Sequence, residues 1–116
     1  MLNDFPISPH FKLKEFACPC CQRVKLSSQL LDALEALRVK IGAAIIIHSG
    51  YRCASHNWQV GGEEKSYHLQ GLAVDIAVKG HSPEKLAELG EKLGFSGIGI
   101  YQNFVHLDLR KGKARW

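Results

Sequence analysis

The hydrophobic positions of the chain follow two periods, and the longer period predicts two helices. From Ser27 or Ser28 to Gly42, apolar residues recur every three or four positions, with a serine cap at the start and a glycine at the end. A second helix is predicted to begin at Ser82-Pro83-Glu84, because proline is favoured at the first helical position, and to stop at Gly94. The residues expected on the buried faces are Leu30, Leu31, Leu34, Leu37 and Ile41 in the first helix and Leu86, Leu89 and Leu93 in the second.

Four shorter runs predict strands. Ala43 to His48 is rich in β-branched residues and predicts a buried strand, and Leu72 to Val78 predicts the next one. Gly97 to Tyr101 and Phe104 to Leu109 predict two strands that form a hairpin through Gln102-Asn103. Residues 49–66 predict a long loop, and a loop of that length in a compact domain is usually functional.

The order of these elements predicts an α+β fold. Helices are expected to pack on a small, mostly antiparallel sheet. Residues 1–26 are expected to form an irregular arm with a short element from Leu13 to Phe16, because three prolines interrupt this region. With 116 residues, the chain is expected to be a single domain, residues 1–116, with one modest core.

Composition narrows the class of protein. The chain is 46% hydrophobic and 22% charged, and no apolar run approaches the roughly 18 to 20 residues of a membrane span. Its formal net charge of +4 comes from scattered basic residues without interleaved aromatics, which does not indicate nucleic-acid binding. The first residues lack the basic start and apolar stretch of a secretory signal. We therefore expect a monomer that binds no nucleic acid, does not span a membrane and stays in the cytoplasm until another factor releases it.

The four cysteines, Cys18, Cys20, Cys21 and Cys53, leave three states open. Reduced thiols are the default for a chain without an export signal. A disulfide from Cys18 or Cys20 to Cys53 is the second possibility. A structural four-thiolate zinc site is the third, although the C-x-C-C spacing differs from the usual C-x2-4-C knuckle and adjacent cysteines rarely bind one ion.

Three polar residues, His68, Asp75 and His106, stand in or beside apolar runs of strand character. An unpaired carboxylate at the centre of Leu-Ala-Val-Asp-Ile-Ala-Val would be costly, so Asp75 needs either backbone amides or a cation. A strand period of two places His106 on the same face as Asp108. Two imidazoles and one carboxylate form a ligand set for catalytic Zn²⁺, with the fourth position left to water. The alternatives are a loop histidine bonded to a carbonyl and an aspartate held by amides.

Short motifs that contain these residues extend over nearly the whole chain. They are Phe11-Lys12-Leu13-Lys14-Glu15-Phe16, Ser49-Gly50-Tyr51-Arg52, His56-Asn57, Gly61-Gly62, Ser66-x-His68-x-x-Gly71-x-Ala73-x-Asp75, Gly97-x-Gly99-x-Tyr101, Phe104-Val105-His106-x-Asp108 and Ala114-Arg115-Trp116. Through these motifs, the chain resembles the zinc D-Ala-D-Ala carboxypeptidase family of peptidoglycan peptidases, in particular its small phage and prophage-like members. The resemblance implies the α+β architecture shared with the hedgehog signalling domain.

The same resemblance implies an activity and a site. The expected reaction is zinc-dependent hydrolysis of an amide bond in peptidoglycan stem or cross-bridge peptides, by a carboxypeptidase or an endopeptidase. His68, Asp75 and His106 are the implied ligands of Zn²⁺, which would activate a water molecule. Arg52 would stabilise the oxyanion or bind a peptide carboxylate. Ser66 and Tyr101 are further candidates for contact with the substrate.

The general base is not evident from the motifs. Members of the wider family often carry an acid three residues before the last ligand, where this chain has Asn103, and asparagine cannot accept a proton. We predict Asp108 as the base, with Glu63 and Glu64 as further candidates. Asp108 has an alternative role, in which it orients a metal ligand or pairs with Arg110.

Two broader expectations follow from the resemblance. The first is an endolysin-like lysis enzyme, phage-encoded or prophage-encoded, that reaches the cell wall or periplasm through a membrane lesion made by another protein. The second is the rival to any enzyme: the same fold supports zinc-bound modules that bind partners without hydrolysis, and Asn103 is the residue that favours this rival.

Overall fold

A computed structural model of the chain describes residues 2–116, so Met1 lies outside the described residues. Within this range the helices are α1 (Ser28–Ile41), α2 (Ala54–Gln59), α3 (Pro83–Lys92) and two 3₁₀ helices, Leu13–Phe16 and Tyr67–Gln70. The strands are β1 (Ile46–Ser49), β2 (Ala73–Ala77), β3 (Gly97–Ile100), β4 (Val105–Asp108) and β5 (Ala114–Arg115). No helix in residues 2–116 is long and apolar enough to cross a membrane.

The five strands form one sheet in the order β1-β2-β4-β3-β5. Neighbouring strands are antiparallel from β1 to β3, and only the pairing of β3 with β5 is parallel. Together with the helices, this sheet confirms the predicted α+β class with a small, mostly antiparallel sheet. The predicted hairpin is also confirmed, because β3 pairs with β4 across the turn at residues 101–104.

The two faces of the sheet have different chemistry, because successive side chains of a strand point to opposite sides. One face is apolar and fully buried in the core with helices α1 and α3; its strand residues are Val74, Ile76, Ile98, Val105 and Leu107. The alternate positions carry Asp75, His106 and Asp108, which are also buried. The second face therefore carries the buried polar residues that the sequence singled out.

The helix ends follow the signals in the sequence. The Ser27 hydroxyl accepts a hydrogen bond from the Gln29 amide, and Gly42 ends α1 in the left-handed conformation at φ 71°. The Ser82 hydroxyl caps α3 in the same way, with Pro83 in the first turn. Of the predicted buried residues in these helices, Leu30, Leu34, Leu37 and Leu86 are buried, whereas Leu31, Ile41, Leu89 and Leu93 are partly buried.

Two predictions about the middle of the chain are wrong. The run from Ala43 to His48 is not a buried strand, because β1 is at the edge of the sheet and pairs only with β2; Ile46 is 54% exposed and only Ile45 is buried. Residues 49–66 are not one loop, because α2 lies within them, with Cys53 at its start. A helix of six residues is too short to show a hydrophobic period.

The arm before α1 is part of the packed structure. Phe11 and Phe16 are buried in the core, with ring centroids 5.7 Å apart. The carbonyl of Phe16 accepts a hydrogen bond of 2.8 Å from the Tyr51 amide, which joins the arm to the segment after β1. This contact places the arm next to residues that support the polar face of the sheet.

Candidate metal centre

His68, Asp75 and His106 converge although they come from three different elements. His68 lies in the 3₁₀ helix Tyr67–Gln70, Asp75 lies at the centre of β2, and His106 is its direct partner on β4. One donor atom from each residue lies within 4.8 Å of the other two. All three side chains are buried, with exposed fractions of 2%, 6% and 8%. The fold therefore brings together the three residues that the sequence singled out.

His68 is held so that only one ring nitrogen faces Asp75. Its backbone amide donates to the Ser66 hydroxyl, which caps the 3₁₀ helix, and Gly71 ends that helix at φ 69°. Its Nδ1 lies 2.8 Å from the carbonyl oxygen of Gly50, so this nitrogen carries the proton when the ring is neutral. Its Nε2 is left with a free lone pair and lies 3.3 Å from Asp75 Oδ1.

His106 presents the opposite nitrogen. Its Nδ1 lies 3.0 Å from Asp75 Oδ1, and its Nε2 lies 2.7 Å from Asp108 Oδ2. A carboxylate on the outer nitrogen of a ligating histidine fixes the tautomer and the ring orientation. Burial acts to lower the pKa of His106, but its hydrogen bonds to Asp108 and Asp75 outweigh burial and raise it.

The two oxygens of the Asp75 carboxylate contact different partners. Its Oδ1 faces both imidazoles, whereas its Oδ2 accepts a hydrogen bond of 3.1 Å from the Arg52 guanidinium. Burial acts to raise the pKa of Asp75, but its close contacts with the imidazoles of His106 and His68 outweigh burial and hold it well below its usual range. Asp75 is therefore an ionised, buried carboxylate that points one oxygen at the two histidines.

These residues fit a metal ion. Two imidazole nitrogens and one carboxylate oxygen converge, which is the donor set of a catalytic Zn²⁺ site. Each ligand is also held from behind by a further group: the Gly50 carbonyl for His68, Asp108 for His106, and Arg52 for Asp75. Such supporting hydrogen bonds are typical of metal ligands.

The Asp108 carboxylate is hydrogen-bonded to neighbouring side chains and does not line the cavity. Its side chain is fully buried and accepts hydrogen bonds from the Arg110 guanidinium at 2.6–3.1 Å, from the Arg110 amide at 3.0 Å, and from His106. Burial acts to raise the pKa of Asp108, but His106 and Arg110 outweigh burial and hold it far below its usual range. A β-carbon at Gly97 would collide with this carboxylate, so glycine is needed there. The contacts of Asp108 favour its alternative role, the orientation of His106.

The three candidate ligands line a cavity of about 730 Å³. Its aromatic wall consists of Tyr101, which stacks on Phe104 at 4.5 Å, and Trp116, whose indole donates to the Tyr101 hydroxyl at 2.8 Å. The Trp116 ring also lies 5.0 Å from that of His106. A β-carbon at Gly99 would collide with this indole, which explains the second glycine of the Gly97-x-Gly99 motif.

Among residues 2–116, the acidic residues that line this cavity are Asp75 and Glu63. Glu63 is exposed at the rim, and its carbonyl accepts a hydrogen bond of 2.7 Å from the buried amide group of Asn57. Neither Glu64 nor Asn103 is among the lining residues, and Asn103 is exposed in the turn before β4. The acid that can reach the cavity therefore comes from the segment after α2.

The other predicted site residues also lie at the cavity. Arg52, Ser66 and Tyr101 all line it. Arg52 uses three donors within the protein, to Ser49 Oγ at 3.0 Å, to Asn57 Oδ1 at 3.3 Å and to Asp75. Ser66 serves as a helix cap, and its contact with a substrate stays a prediction.

Sequence reasoning missed the structural roles of Gly50, Asn57 and Trp116, although each lies in one of the quoted motifs. Gly50 acts through its carbonyl oxygen and Asn57 joins Arg52 to the Glu63 backbone. These roles depend on contacts between elements distant along the chain. The only sequence signal for these roles is that the three residues lie in the quoted motifs.

Comparison with known proteins identifies the family of the chain. The family model described as Peptidase M15 matches residues 9–108. A curated protein of Haemophilus influenzae, named as a probable peptidoglycan L,D-endopeptidase MepK, is 31% identical over 94 residues, which cover 72% of this chain and 50% of that protein. The match thus spans about half the length of that relative.

The chain belongs to the peptidase M15 family, as its sequence motifs indicated. Peptidases of this family are generally metal dependent, and the three convergent ligands are a possible metal site of that kind. The fold is consistent with a small member of the family.

Substitution of Asp108 by asparagine tests the role of this carboxylate. The variant loses the charged partner of His106 and Arg110, so we expect zinc affinity to fall about 10- to 100-fold and activity to return with excess metal. Zinc affinity is measured by competition with a chromophoric chelator, and Asp32→Asn, at an exposed position on α1, serves as control. Unchanged zinc affinity with a loss of activity that excess zinc does not restore would instead support Asp108 as the general base.

Proposed function

We propose that this protein is a zinc-dependent hydrolase of amide bonds in peptidoglycan peptides. The observation that carries the proposal is the convergence of His68, Asp75 and His106 at the wall of a cavity, in a chain of the peptidase M15 family. The printed name of the Haemophilus influenzae relative supports peptidoglycan as the substrate class.

When bound, Zn²⁺ supplies Lewis acidity, which lowers the pKa of a water molecule and polarises the scissile carbonyl. The protein's own contribution begins with Arg52, which holds Asp75 Oδ2 so that Oδ1 stays directed at the two histidines. The Arg52 side chain is 15% exposed and lines the cavity, so its guanidinium is also placed to stabilise negative charge on a reacting carbonyl oxygen.

We assign the general base to Glu63 rather than to Asp108. A base must reach the proton that it removes, and Glu63 lines the cavity whereas Asp108 does not. Every oxygen of Asp108 is engaged by Arg110 or His106. The Glu63 backbone is fixed by Asn57 and by the Ser66 amide, so its side chain extends from an anchored position at the rim.

The charges of the cavity favour an endopeptidase over a carboxypeptidase. Arg52 and Arg110 both line the cavity, but each is paired with a buried carboxylate. Within residues 2–116, Lys65 is the lining cation without an ion pair, and it is exposed. A carboxypeptidase needs a cation that is free to bind the terminal carboxylate close to the scissile bond. The relative's name also describes an endopeptidase.

The aromatic wall supplies the remaining surface for substrate. Tyr101 and Trp116 are 42% and 48% exposed, so their rings are open to a ligand at the mouth of the cavity. Flat aromatic surfaces pack against the aliphatic parts of a peptide. Phage or prophage origin, and release to the cell wall or periplasm, stay predictions that belong to this proposal.

Digestion of purified peptidoglycan tests the proposed reaction. We expect the protein with zinc to release soluble peptides, and a chelator or the His68→Ala substitution to abolish release, because either change removes the metal from its site. Mass spectrometry of the products identifies the bond that is cut: internal cleavage marks an endopeptidase, and loss of one terminal residue marks a carboxypeptidase. No release from any peptidoglycan type, with tight binding to the polymer, would favour the non-catalytic module.

Substitution of Glu63 by glutamine tests the assignment of the base. The variant keeps the size and the backbone contacts of Glu63 but cannot accept a proton, so kcat should fall about 10²- to 10⁴-fold with zinc content unchanged. Glu64→Gln is the matched control, because the neighbouring side chain is exposed and does not line the cavity, and it should retain full activity. Wild-type kcat in Glu63→Gln would refute the assignment.

A further inference from the structure

The chain contains four cysteines, and all four converge at one place outside the cavity. Cys18, Cys20 and Cys21 lie in the turn after the first 3₁₀ helix, and Cys53 lies at the start of α2. All four Sγ atoms lie within 4.8 Å of one another, and the thiols are free. None of these residues lines the cavity with the candidate metal ligands.

The turn explains how cysteines so close along the chain present their thiols together. The C-x-C-C motif as a whole differs from a zinc knuckle, but Cys18 and Cys21 within it are separated by two residues, as in the usual C-x2-C pair. The turn is closed by hydrogen bonds from the Gln22 amide to the Cys18 carbonyl at 2.7 Å and from the Cys18 amide to the Arg23 carbonyl at 2.8 Å. Gln22 takes the left-handed conformation at φ 61°, which reverses the chain after the third cysteine.

The distances between the sulfur atoms are closer to those of a metal site than to that of a disulfide. The Sγ atoms of Cys18, Cys20 and Cys53 are 3.5, 3.6 and 3.2 Å apart in pairs. Four thiolates at about 2.3 Å from one tetrahedral Zn²⁺ lie about 3.8 Å from one another. A disulfide needs about 2.05 Å and would use only two of the sulfurs.

We propose that Cys18, Cys20, Cys21 and Cys53 bind one Zn²⁺ as a structural site, separate from the peptidase centre. The ion replaces the thiol protons, which leave to solvent when it binds. Four protein ligands close the coordination sphere, so this site has no open position for water or substrate. Backbone amides support the thiolates: the Cys53 amide lies 3.5 Å from Cys18 Sγ, and the His56 amide lies 3.4 Å from Cys53 Sγ.

The position of the four cysteines shows which segments a bound ion would hold together. The ion would tie the arm to the segment from Gly50 to Cys53, which supports two candidate ligands of the peptidase centre. The Gly50 carbonyl orients His68, and Arg52 holds Asp75. A β-carbon at Gly50 would collide with the Phe16 backbone, so arm and segment are already in close contact. The thiolate site would thus fix the backbone next to the candidate catalytic metal.

Metal content and cobalt spectra test this proposal without any assay of activity. The full chain purified with zinc should contain two Zn²⁺ per chain, whereas His68→Ala and the double variant Cys20→Ser/Cys21→Ser should each contain one. Cys20 and Cys21 are exposed, so their substitution spares the core that holds Cys18. With cobalt in place of zinc, His68→Ala should show a thiolate-to-cobalt charge-transfer band that the double cysteine variant lacks.

Three results would overturn the proposal. They are an unchanged zinc content in the double cysteine variant, a cobalt spectrum of His68→Ala without the thiolate band, and a disulfide found by mass spectrometry of the unreduced protein. The assay also separates this site from the peptidase proposal. A protein that is inactive on peptidoglycan but shows the thiolate band supports the cysteine site and counts only against the peptidase function.

Discussion

The buried carboxylate of Asp75 is the charge around which the rest of the site is arranged. It lies at the centre of β2, an interior strand of the sheet, where an uncompensated buried charge would cost several kcal/mol. Arg52 compensates one oxygen, and the other faces the imidazoles of His68 and His106. A divalent cation between these three groups would satisfy the carboxylate and use a lone pair of each histidine.

The hydrogen bonds that hold Asp75 in place connect elements that are distant along the chain. Arg52 donates hydrogen bonds to Ser49 at the end of β1 and to Asn57 in α2, so the edge strand and the short helix both position this side chain. Asn57 in turn anchors the backbone of Glu63. The same helix that helps to hold the candidate ligand Asp75 therefore also anchors the proposed base at the cavity.

A second set of contacts supports the outer ring nitrogen of His106. Asp108 holds its outer nitrogen, and Arg110 neutralises Asp108. The Arg110 guanidinium lies between the rings of Tyr67 and Trp116, at 4.7 and 4.9 Å from their centres. Asp108, which the sequence predicts as the general base, is hydrogen-bonded to His106 and Arg110 in the structure.

The sequence predicted those parts that depend on local pattern. The period of two in β4 placed His106 and Asp108 on one face, and the serine caps and glycine ends located α1 and α3. It could not show that β1 is an edge strand, because β-branched residues are common in edge and central strands alike. Nor could it show that Asp108 turns to Arg110, since a carboxylate two residues after a histidine has the same spacing in either role.

The central claim is that His68, Asp75 and His106 bind the metal, with His106 using Nδ1 and His68 using Nε2. Anomalous X-ray diffraction on both sides of the zinc absorption edge, from crystals of the zinc-loaded protein, tests it most directly. The account predicts a zinc peak at about 2.0–2.2 Å from His68 Nε2, His106 Nδ1 and Asp75 Oδ1. A zinc-loaded crystal without a peak among these three atoms, or with zinc on the Asp108 side of His106, would contradict it.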